Sequence, residues 1–240
     1  MRAILLAGGK GTRLYPYTAL FPKSLVPLGD KPVMEILIRR LKAHGFKHMT
    51  LCVGHLAPLI KSFFNNGKTL GIKIDYSLEK SPLGTVAPIS LIKNLPKTFL
   101  VANGDLLTTA NFKEMIKLHK KEKAALTVGT YKRHEKIELG VLEIEKNRVV
   151  AYKEKPEFDF LVSAGVYIFE KKLLKYIPKN KYFDFPALVN RLIEDKEKVV
   201  SYNIDGFWLD IGRPDDYQKA IDEYSKDSEY FLSNTKRIKK

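Results

Sequence analysis

The chain has 240 residues, of which 45% are hydrophobic and 11% aromatic, a composition typical of a globular protein and not of a disordered one. Its formal net charge of +15 is spread along the chain, which indicates a solvated basic surface and argues against a nucleic-acid partner; the short cluster at 236–240 is the exception. The single Cys52 excludes an intrachain disulfide framework, and no apolar stretch is long enough to span a bilayer. We expect a cytoplasmic protein with no nucleic-acid or membrane partner.

The first predicted element is a short apolar strand at 2–7 that ends in glycines. Residues 8–13 then read GGKGTR, and Lys23 follows in a Pro-Lys pair. Glycines allow the backbone to turn sharply and to bring N–H groups against an anion, while Arg13 and Lys23 supply positive charge. The spacing matches neither the dinucleotide GxGxxG motif nor the P-loop. It predicts a loop around a polyphosphate, although glycine-rich turns also follow strands that bind nothing.

Predicted strands and helices alternate along the whole chain. In the first half the strands lie at 2–7, 48–53, 72–77, 98–102 and 124–130, and the helices at 32–44, 56–65 and 111–121. The second half is richer in strands, at 139–145, 148–154, 162–169 and 199–204, with helices at 170–176, 184–195 and 214–225. This alternation predicts an α/β fold: a Rossmann-like, doubly wound mixed sheet in a three-layer α/β/α arrangement, in a single domain.

Two carboxylates are candidate metal ligands, and one of them follows a predicted strand. Residues 98–105 read TFLVANGD, which places Asp105 at the carboxyl end of a central strand, where open α/β sheets bind their ligands. The alternative is that Asp105 caps the helix predicted at 111–121. Asp210 comes much later, in the segment FWLDIG. Mg²⁺ takes one or two protein carboxylates and completes its shell with water and phosphate oxygens, so Asp105 and Asp210 would suit a nucleoside triphosphate if the fold brings them together.

Several segments together resemble the sugar-1-phosphate nucleotidylyltransferases, also called nucleotide-sugar pyrophosphorylases. They are GGKGTRLYPYT and PKSLVPL in the first 28 residues, NGD at 103–105, EKP at 154–156, SAGVYIF at 163–169 and WLDIGRPDDY at 208–217. The resemblance runs from residue 3 to about 224 and is closest in wording to small mannose-1-phosphate guanylyltransferase-like members. We expect a nucleotidyltransferase domain at 1–225, with a nucleotide-binding half at about 1–130 and a sugar-binding half at about 131–225, and a basic tail at 226–240.

The resemblance implies a reaction and the residues that carry it. A sugar 1-phosphate attacks the α-phosphorus of a nucleoside triphosphate in line, giving an NDP-sugar and pyrophosphate. Arg13 and Lys23 would be catalytic, and Asp105 and Asp210 would hold Mg²⁺ as cofactor. The nucleotide would be bound by Leu6, Ala7, Gly8, Gly9, Gly11, Thr12, Glu79, Pro82, Gly84, Thr85, Asn103 and Gly104. The sugar phosphate would be bound by Gly140, Glu154, Lys155, Ser163 and Gly165. The two substrates are small molecules, and a homo-oligomer is compatible with the sequence.

Glu79 favours GTP as the nucleotide. An ionised glutamate only accepts hydrogen bonds, and guanine presents two adjacent donors, whereas uracil and thymine present one donor between two acceptors. The alternative is that Glu79 faces solvent and that the backbone reads the base. Leu139, Val86-Ala87 and Ser163 depart from the residues usual in the family, which favours an unusual sugar such as an amino- or heptose-type phosphate.

Other functions fit parts of the sequence. A UTP- or dTTP-dependent sugar-1-phosphate enzyme shares the motifs, and a cytidylyltransferase for a phosphorylated alcohol such as phosphocholine uses the same fold. The EKP and SAGVYIF segments favour a sugar substrate over an alcohol. A non-catalytic nucleotide sensor would lack one of Arg13, Lys23, Asp105 or Asp210, and all four are present.

Overall fold

The computed structural model describes residues 1–233, and the basic cluster at 236–240 lies outside the described residues. The strands within this range are β1 (Arg2–Ala7), β2 (Pro27–Leu28), β3 (Lys31–Pro32), β4 (His48–Val53), β5 (Lys73–Leu78), β6 (Thr98–Asn103), β7 (Leu106–Thr108), β8 (Leu126–Lys136), β9 (Val141–Glu145), β10 (Arg148–Lys153), β11 (Glu157–Glu170), β12 (Val199–Asn203) and β13 (Trp208–Asp210). The α-helices are α1 (Val33–Ala43), α2 (Ala57–Phe64), α3 (Phe112–Lys121), α4 (Phe185–Glu194), α5 (Pro214–Lys226) and α6 (Ser228–Leu232). Short 3₁₀ helices lie at Thr12–Leu14, Lys23–Leu25, Lys68–Leu70, Ala87–Leu91 and Lys171–Tyr176.

Within residues 1–233, seven strands form one twisted sheet in the order β12-β8-β11-β6-β1-β4-β5. The pairs β6-β1, β1-β4, β4-β5 and β12-β8 are parallel, and β11 runs antiparallel to β6 and β8. Strands β4 and β5 follow β1 on one side of it, and β6, which comes next in the main sheet, lies on the other side of β1. The order therefore reverses at β1, and this is where open α/β sheets leave a crevice for a ligand.

Apolar side chains cover both faces of the sheet. In β1, Ala3 and Leu5 pack into one core with residues of α1, α2 and α3, while Ile4 packs into a second core with residues of α4 on the opposite face. Successive side chains of a strand point to opposite faces, so a strand buried on both sides reads as a continuous apolar run. The predicted three-layer, Rossmann-like α/β fold is confirmed.

Three elements differ in extent or type from their prediction. The strands predicted at 124–130 and 162–169 are the buried parts of longer strands, β8 and β11, which continue beyond the sheet as an exposed pair. Charged residues line this extension, for example Lys132 and Asp159, whose Nζ and Oδ2 atoms are 2.8 Å apart. The extension was not predicted; its strand pairing leaves even its apolar side chains, Phe158 and Phe160, exposed. The helix predicted at 170–176 is a 3₁₀ helix.

Part of the predicted tail packs against the domain. Residues 228–232 form α6, in which Phe231 is 2% exposed. The buried guanidinium of Arg40 in α1 donates to the carbonyl oxygens of Tyr230 and Ser233 at 2.9 and 3.0 Å, and to that of Ala110 at 3.1 Å. None of the helices in the described range is long and apolar enough to cross a membrane.

Candidate active site

A cavity of about 650 Å³ opens at the point where the strand order reverses. The loop after β1 and the loop after β6 form two of its walls. Its lining contains both predicted catalytic residues, both predicted metal ligands and every residue predicted to bind the nucleotide. The structure therefore brings together residues 6–13, Lys23, the 79–85 segment, residues 103–105 and Asp210.

The loop after β1 is shaped by Gly11. Its φ of +66° lies in the left-handed region, and a Cβ there would stand 3.0 Å from side-chain atoms of both Thr18 and Lys23. The Thr18 hydroxyl donates to the Gly11 carbonyl oxygen at 2.8 Å. The turn carries the chain into the 3₁₀ helix Thr12–Leu14, and the Arg13 guanidinium there lies beside Gly212, where an added Cβ would be 3.5 Å from it. Arg13 thus borders the cavity with its charge available to an anion.

The two carboxylates meet through a short antiparallel ribbon. Strand β7 begins directly after Asp105, and β13 pairs with it so that Asp210 lies opposite Leu106. The Ile211 N–H donates to the Asp105 carbonyl oxygen at 3.2 Å and extends this pairing. The alternative role for Asp105 as a helix cap does not apply, because Asn111 accepts the Glu114 N–H at the start of α3.

Lys23 lies between the two carboxylates. Its Nζ is 2.5 Å from Oδ2 of Asp105 and 3.4 Å from Oδ1 of Asp210. Burial raises the pKa of Asp105, the Lys23 charge opposes that shift, and repulsion from Asp210 adds to it. Burial is therefore the main reason why the pKa of Asp105 is raised.

The site fits a hard divalent cation. Asp105 lines the cavity, and its buried Oδ1 atom has no hydrogen-bond partner among residues 1–233, so one carboxylate oxygen is left unsatisfied there. Within the same range no group of three or more His, Cys, Asp and Glu side chains is placed to hold a metal. Asp105 and Asp210 would supply two oxygen ligands, and phosphate and water oxygens would supply the others, as is usual for Mg²⁺.

Glu79 lines the cavity and packs against Gly8 of the glycine loop. A Cβ on Gly8 would stand 1.8 Å from Glu79 Oε1, so this side chain fills the space that Gly8 leaves. The Leu83 N–H donates to Glu79 Oε2 at 3.3 Å. Burial raises the pKa of Glu79, and the hydrogen bond from Leu83 partly offsets that rise. The carboxylate lines the cavity and is half-buried, in contrast to the alternative of a solvent-facing residue.

The predicted sugar-phosphate residues are placed less centrally. Gly165 has a φ of +64°, and a Cβ there would stand 2.6 Å from the Asn103 side chain, which lines the cavity. Gly140, Glu154, Lys155 and Ser163 are exposed and are not part of the cavity lining. The Tyr152 hydroxyl lies against Gly140 and donates to Glu154 Oε2 at 2.9 Å. Gly140, Glu154 and Lys155 flank the β9–β10 hairpin, whereas Ser163 lies in β11, where its hydroxyl is 3.0 Å from that of Tyr167.

The sequence did not reveal several residues of the lining: Lys10, Ser24, Cys52, Pro88, Tyr182, Asp184 and Gly212. Burial raises the pKa of the Cys52 thiol to about 12, so it is an inert wall residue. Asp184 precedes Phe185-Pro186 at the start of a helix, a pattern that indicates a helix cap. This pattern gave no reason to expect Asp184 in the cavity lining.

The fold and the site together define a class of nucleotide-handling α/β proteins, and sequence comparison gives its name. Residues 2–227 match the family described as Nucleotidyl transferase, which covers most of the chain. The chain belongs to this family. A crystal structure from Bacillus anthracis in complex with sucrose superposes with a TM-score of 0.76 over 100% of this chain and 98% of that one, at 22% identity, which shows the shared fold. HddC from Yersinia pseudotuberculosis, complexed with GMP-PN, gives a TM-score of 0.73 over 93% of this chain and 99% of that one, at 25% identity.

The curated relatives are named for different nucleotides and sugars. The chain is 33% identical to the UTP--glucose-1-phosphate uridylyltransferase of Synechocystis, over 92% of this chain and 62% of that protein. It is 32% identical to the mannose-1-phosphate guanylyltransferase of Mycobacterium tuberculosis, over 91% and 63%. It is 31% identical to the D-glycero-alpha-D-manno-heptose 1-phosphate guanylyltransferase of Aneurinibacillus thermoaerophilus, over 93% and 98%. The chain thus spans less than two thirds of the first two relatives and nearly all of the third.

Proposed function

We propose that this protein transfers a nucleoside monophosphate from a nucleoside triphosphate, preferentially GTP, to a sugar 1-phosphate and releases pyrophosphate. The observation that carries the proposal is the contact of Lys23 with Asp105 and Asp210 in the cavity that the glycine loop also lines. It combines an anion-binding turn, a cation and two carboxylates in one cavity. The names of the relatives agree with a sugar 1-phosphate as acceptor.

The residues of the site suit positioning and charge neutralisation. A sugar phosphate dianion is already a nucleophile, so the reaction needs no general base; it needs the two anions held in line. Arg13 stabilises the charge of the leaving β,γ-phosphates, and Lys23 binds the α-phosphate or the incoming phosphate. Members of the family generally use a divalent metal. Asp105 and Asp210 would hold this ion, which we propose is Mg²⁺ and which neutralises phosphate charge when bound.

GTP is favoured because Glu79 contributes a carboxylate to the cavity lining, and an ionised carboxylate accepts the two adjacent donors of guanine. Two of the relatives are named as guanylyltransferases, and the HddC structure contains GMP-PN. The Synechocystis relative is a uridylyltransferase, which makes UTP the second candidate. The heptose 1-phosphate relative covers nearly the whole length of this chain and supports an unusual sugar as acceptor. The cytoplasmic location and the absence of nucleic-acid partners stay predictions, as does assembly into a homo-oligomer.

The test is a pyrophosphate-release assay that crosses GTP, UTP, dTTP, CTP and ATP with a panel of sugar 1-phosphates in the presence of Mg²⁺. We expect the highest kcat/KM with GTP. Asp105→Asn removes a charge from the proposed metal site, so kcat should fall at least about 100-fold, since a metal ion supplies several kcal/mol of charge stabilisation.

Asp195→Asn is the matched control, because this exposed aspartate follows α4 outside the cavity and should keep wild-type activity. Failure of every triphosphate to release pyrophosphate with any sugar 1-phosphate would refute the proposed reaction. Activity with phosphocholine and CTP alone would identify an alcohol-phosphate cytidylyltransferase instead.

A further inference from the structure

The segment 182–185, just before α4, lies against the segment that was expected to recognise the base. The Phe183 N–H donates to the Leu83 carbonyl oxygen at 2.9 Å, and the Val86 N–H donates to the Phe183 carbonyl oxygen at 3.2 Å. The two segments therefore pair through their backbones although they are far apart in sequence. Tyr182 and Asp184 line the same cavity as Glu79.

Hydrogen bonds connect Thr85 with Asp184 and with the start of α4. Asp184 occupies the N-cap position of α4, but within this described helix its side chain accepts no backbone N–H. Its Oδ1 atom accepts the Thr85 N–H at 2.8 Å and the Thr85 hydroxyl at 3.1 Å. The Phe185 N–H donates in turn to Thr85 Oγ1 at 3.0 Å. Thr85 thus caps the helix, and the residue in the capping position anchors the loop.

The backbone of the loop is built around this carboxylate. Gly84 has a φ of +85°, and a Cβ there would stand 2.7 Å from Asp184 Oδ1 and 2.8 Å from the Phe183 carbonyl oxygen. A larger residue would push the loop away from Asp184. At its other end the loop is held by the hydrogen bond from Leu83 to Glu79. The loop at 82–85 is therefore fixed from two sides, by Asp184 and by Glu79.

Asp184 is suited to be a permanent anchor. Burial alone would raise its pKa, but hydrogen bonds from Tyr182 and Thr85 lower the pKa below the ordinary value, which keeps the carboxylate ionised at neutral pH. The Tyr182 hydroxyl donates to the second oxygen, Oδ2, at 2.5 Å. An ionised carboxylate only accepts hydrogen bonds and so matches the donors that the loop offers.

We infer that Asp184 is a positioning residue for base selection: it holds the loop at 82–85 in the conformation that presents the loop backbone and Glu79 to the nucleotide. It acts through Thr85 and Gly84 and takes no part in the chemistry of phosphoryl transfer. The inference rests on the proposed function. It assigns nucleotide preference partly to a segment in the half of the chain expected to bind the sugar.

The test compares Asp184→Ala with Asp184→Asn in steady-state kinetics and in equilibrium binding of GTP and UTP. Asp184→Ala loses the anchor, so KM for GTP should rise about tenfold, the value of one charge-assisted hydrogen bond. The GTP-to-UTP ratio of kcat/KM should fall several-fold, and KM for the sugar 1-phosphate should stay unchanged. Asp184→Asn keeps an acceptor oxygen at the position of Oδ1 and should restore most of the preference. Asp195→Ala is the control for loss of an aspartate near the same helix.

The outcomes separate the inference from the reaction itself. An inactive wild-type protein would refute the proposed function, and GTP and UTP binding to the same variants would still test the anchor. A folded Asp184→Ala protein with wild-type discrimination, or one that loses only thermal stability and kcat, would overturn the inference. Should Asp184→Ala not fold, Thr85→Val removes the hydroxyl with little change of shape and should weaken discrimination in the same direction; a folded Thr85→Val protein with wild-type discrimination would then overturn the inference.

Discussion

Lys23 joins two acidic side chains that would otherwise repel each other. Its ammonium is 2.5 Å from Asp105 and 3.4 Å from Asp210, and the Lys23 and Asp105 side chains are 13% and 19% exposed. A buried ion pair contributes little net stability, but removal of one partner leaves an uncompensated charge. Lys23 therefore has a structural consequence besides its proposed contact with phosphate.

Substitution of Lys23 should make the stability of the protein dependent on divalent metal. In the presence of EDTA, Lys23→Met should lower the free energy of unfolding by about 3 kcal/mol, because the Asp105 carboxylate loses its counter-charge. Mg²⁺ should restore part of this loss in the variant and have a smaller effect on the wild type. Urea unfolding with and without Mg²⁺ measures both effects. Lys179→Met, at an exposed site outside the cavity, is the control, and equal unfolding curves for the two variants would contradict the prediction.

Glu79 should make nucleotide preference depend on its own charge. Glu79→Gln replaces one acceptor by an amide donor, so the Kd for GTP should rise about tenfold at neutral pH while UTP binding is unchanged or improved. Burial raises the pKa of the wild-type carboxyl above its ordinary value of 4.5. As the pH falls towards this raised pKa, the carboxylate takes a proton and GTP binding weakens.

The measurement is equilibrium binding of GTP to both proteins between about pH 7 and pH 5, where the triphosphate's own protonation affects both equally. The wild-type affinity should fall relative to that of Glu79→Gln as the pH decreases. A constant ratio with an unchanged base preference would mean that the backbone reads the base.

Among the elements, α6 shows how the end of the described chain is joined to the domain. Phe231 packs beside Tyr224 of α5 and Phe207, and Arg40 of α1 supplies hydrogen bonds to carbonyl oxygens at Tyr230 and Ser233. Burial lowers the pKa of Arg40 to about 10, so the guanidinium remains charged at neutral pH. The charged guanidinium of Arg40 thus links α1 to the end of the described chain through these two carbonyl oxygens.

Arg40→Met should destabilise the protein by about 3 kcal/mol, because several buried carbonyl oxygens lose a charged donor at once. The neighbouring Arg39 is the matched control: it pairs with Glu35 on the helix surface, with Nε and Oε1 2.7 Å apart, and its side chain is 41% exposed. Arg39→Met should cost no more than about 0.5 kcal/mol. The measurement is the melting temperature of the two variants. Similar values would show that the Arg40 hydrogen bonds do not contribute to stability.

At the scale of the whole molecule, the sequence predicts those elements whose residue pattern is compatible with a single type of structure. The apolar run at 2–7 with glycines directly after it specifies a strand buried on both faces, and β1 has these bounds. The outer part of β11 was not predicted, although Phe158 and Phe160 alternate there with charged residues; in the structure both side chains stay exposed. Its antiparallel direction was not predicted either, since direction depends on which strands it pairs with.

The candidate site likewise contains residues that the sequence predicts and residues that it does not. Arg13, Asp105 and Asp210 were predicted because they lie in motifs at the ends of strands, and the structure places them around one cavity. Asp184 could not be found, since its pattern is that of an ordinary helix cap and its partner Thr85 is distant in sequence. Glu154 and Lys155 were assigned by resemblance alone; they lie on an exposed hairpin, and their role in sugar binding stays a prediction.

The ribbon of β7 and β13 has a consequence for the synthesis of the chain. Asp105 and its strand leave the ribosome early, together with the glycine loop and Lys23, whereas Asp210 emerges when almost the whole domain has been translated. A nascent chain that stops before residue 208 has the nucleotide wall but only one of the two carboxylates. Each unfinished chain therefore lacks the proposed metal pair, and the site is completed only when the last strand of the ribbon reaches Leu106.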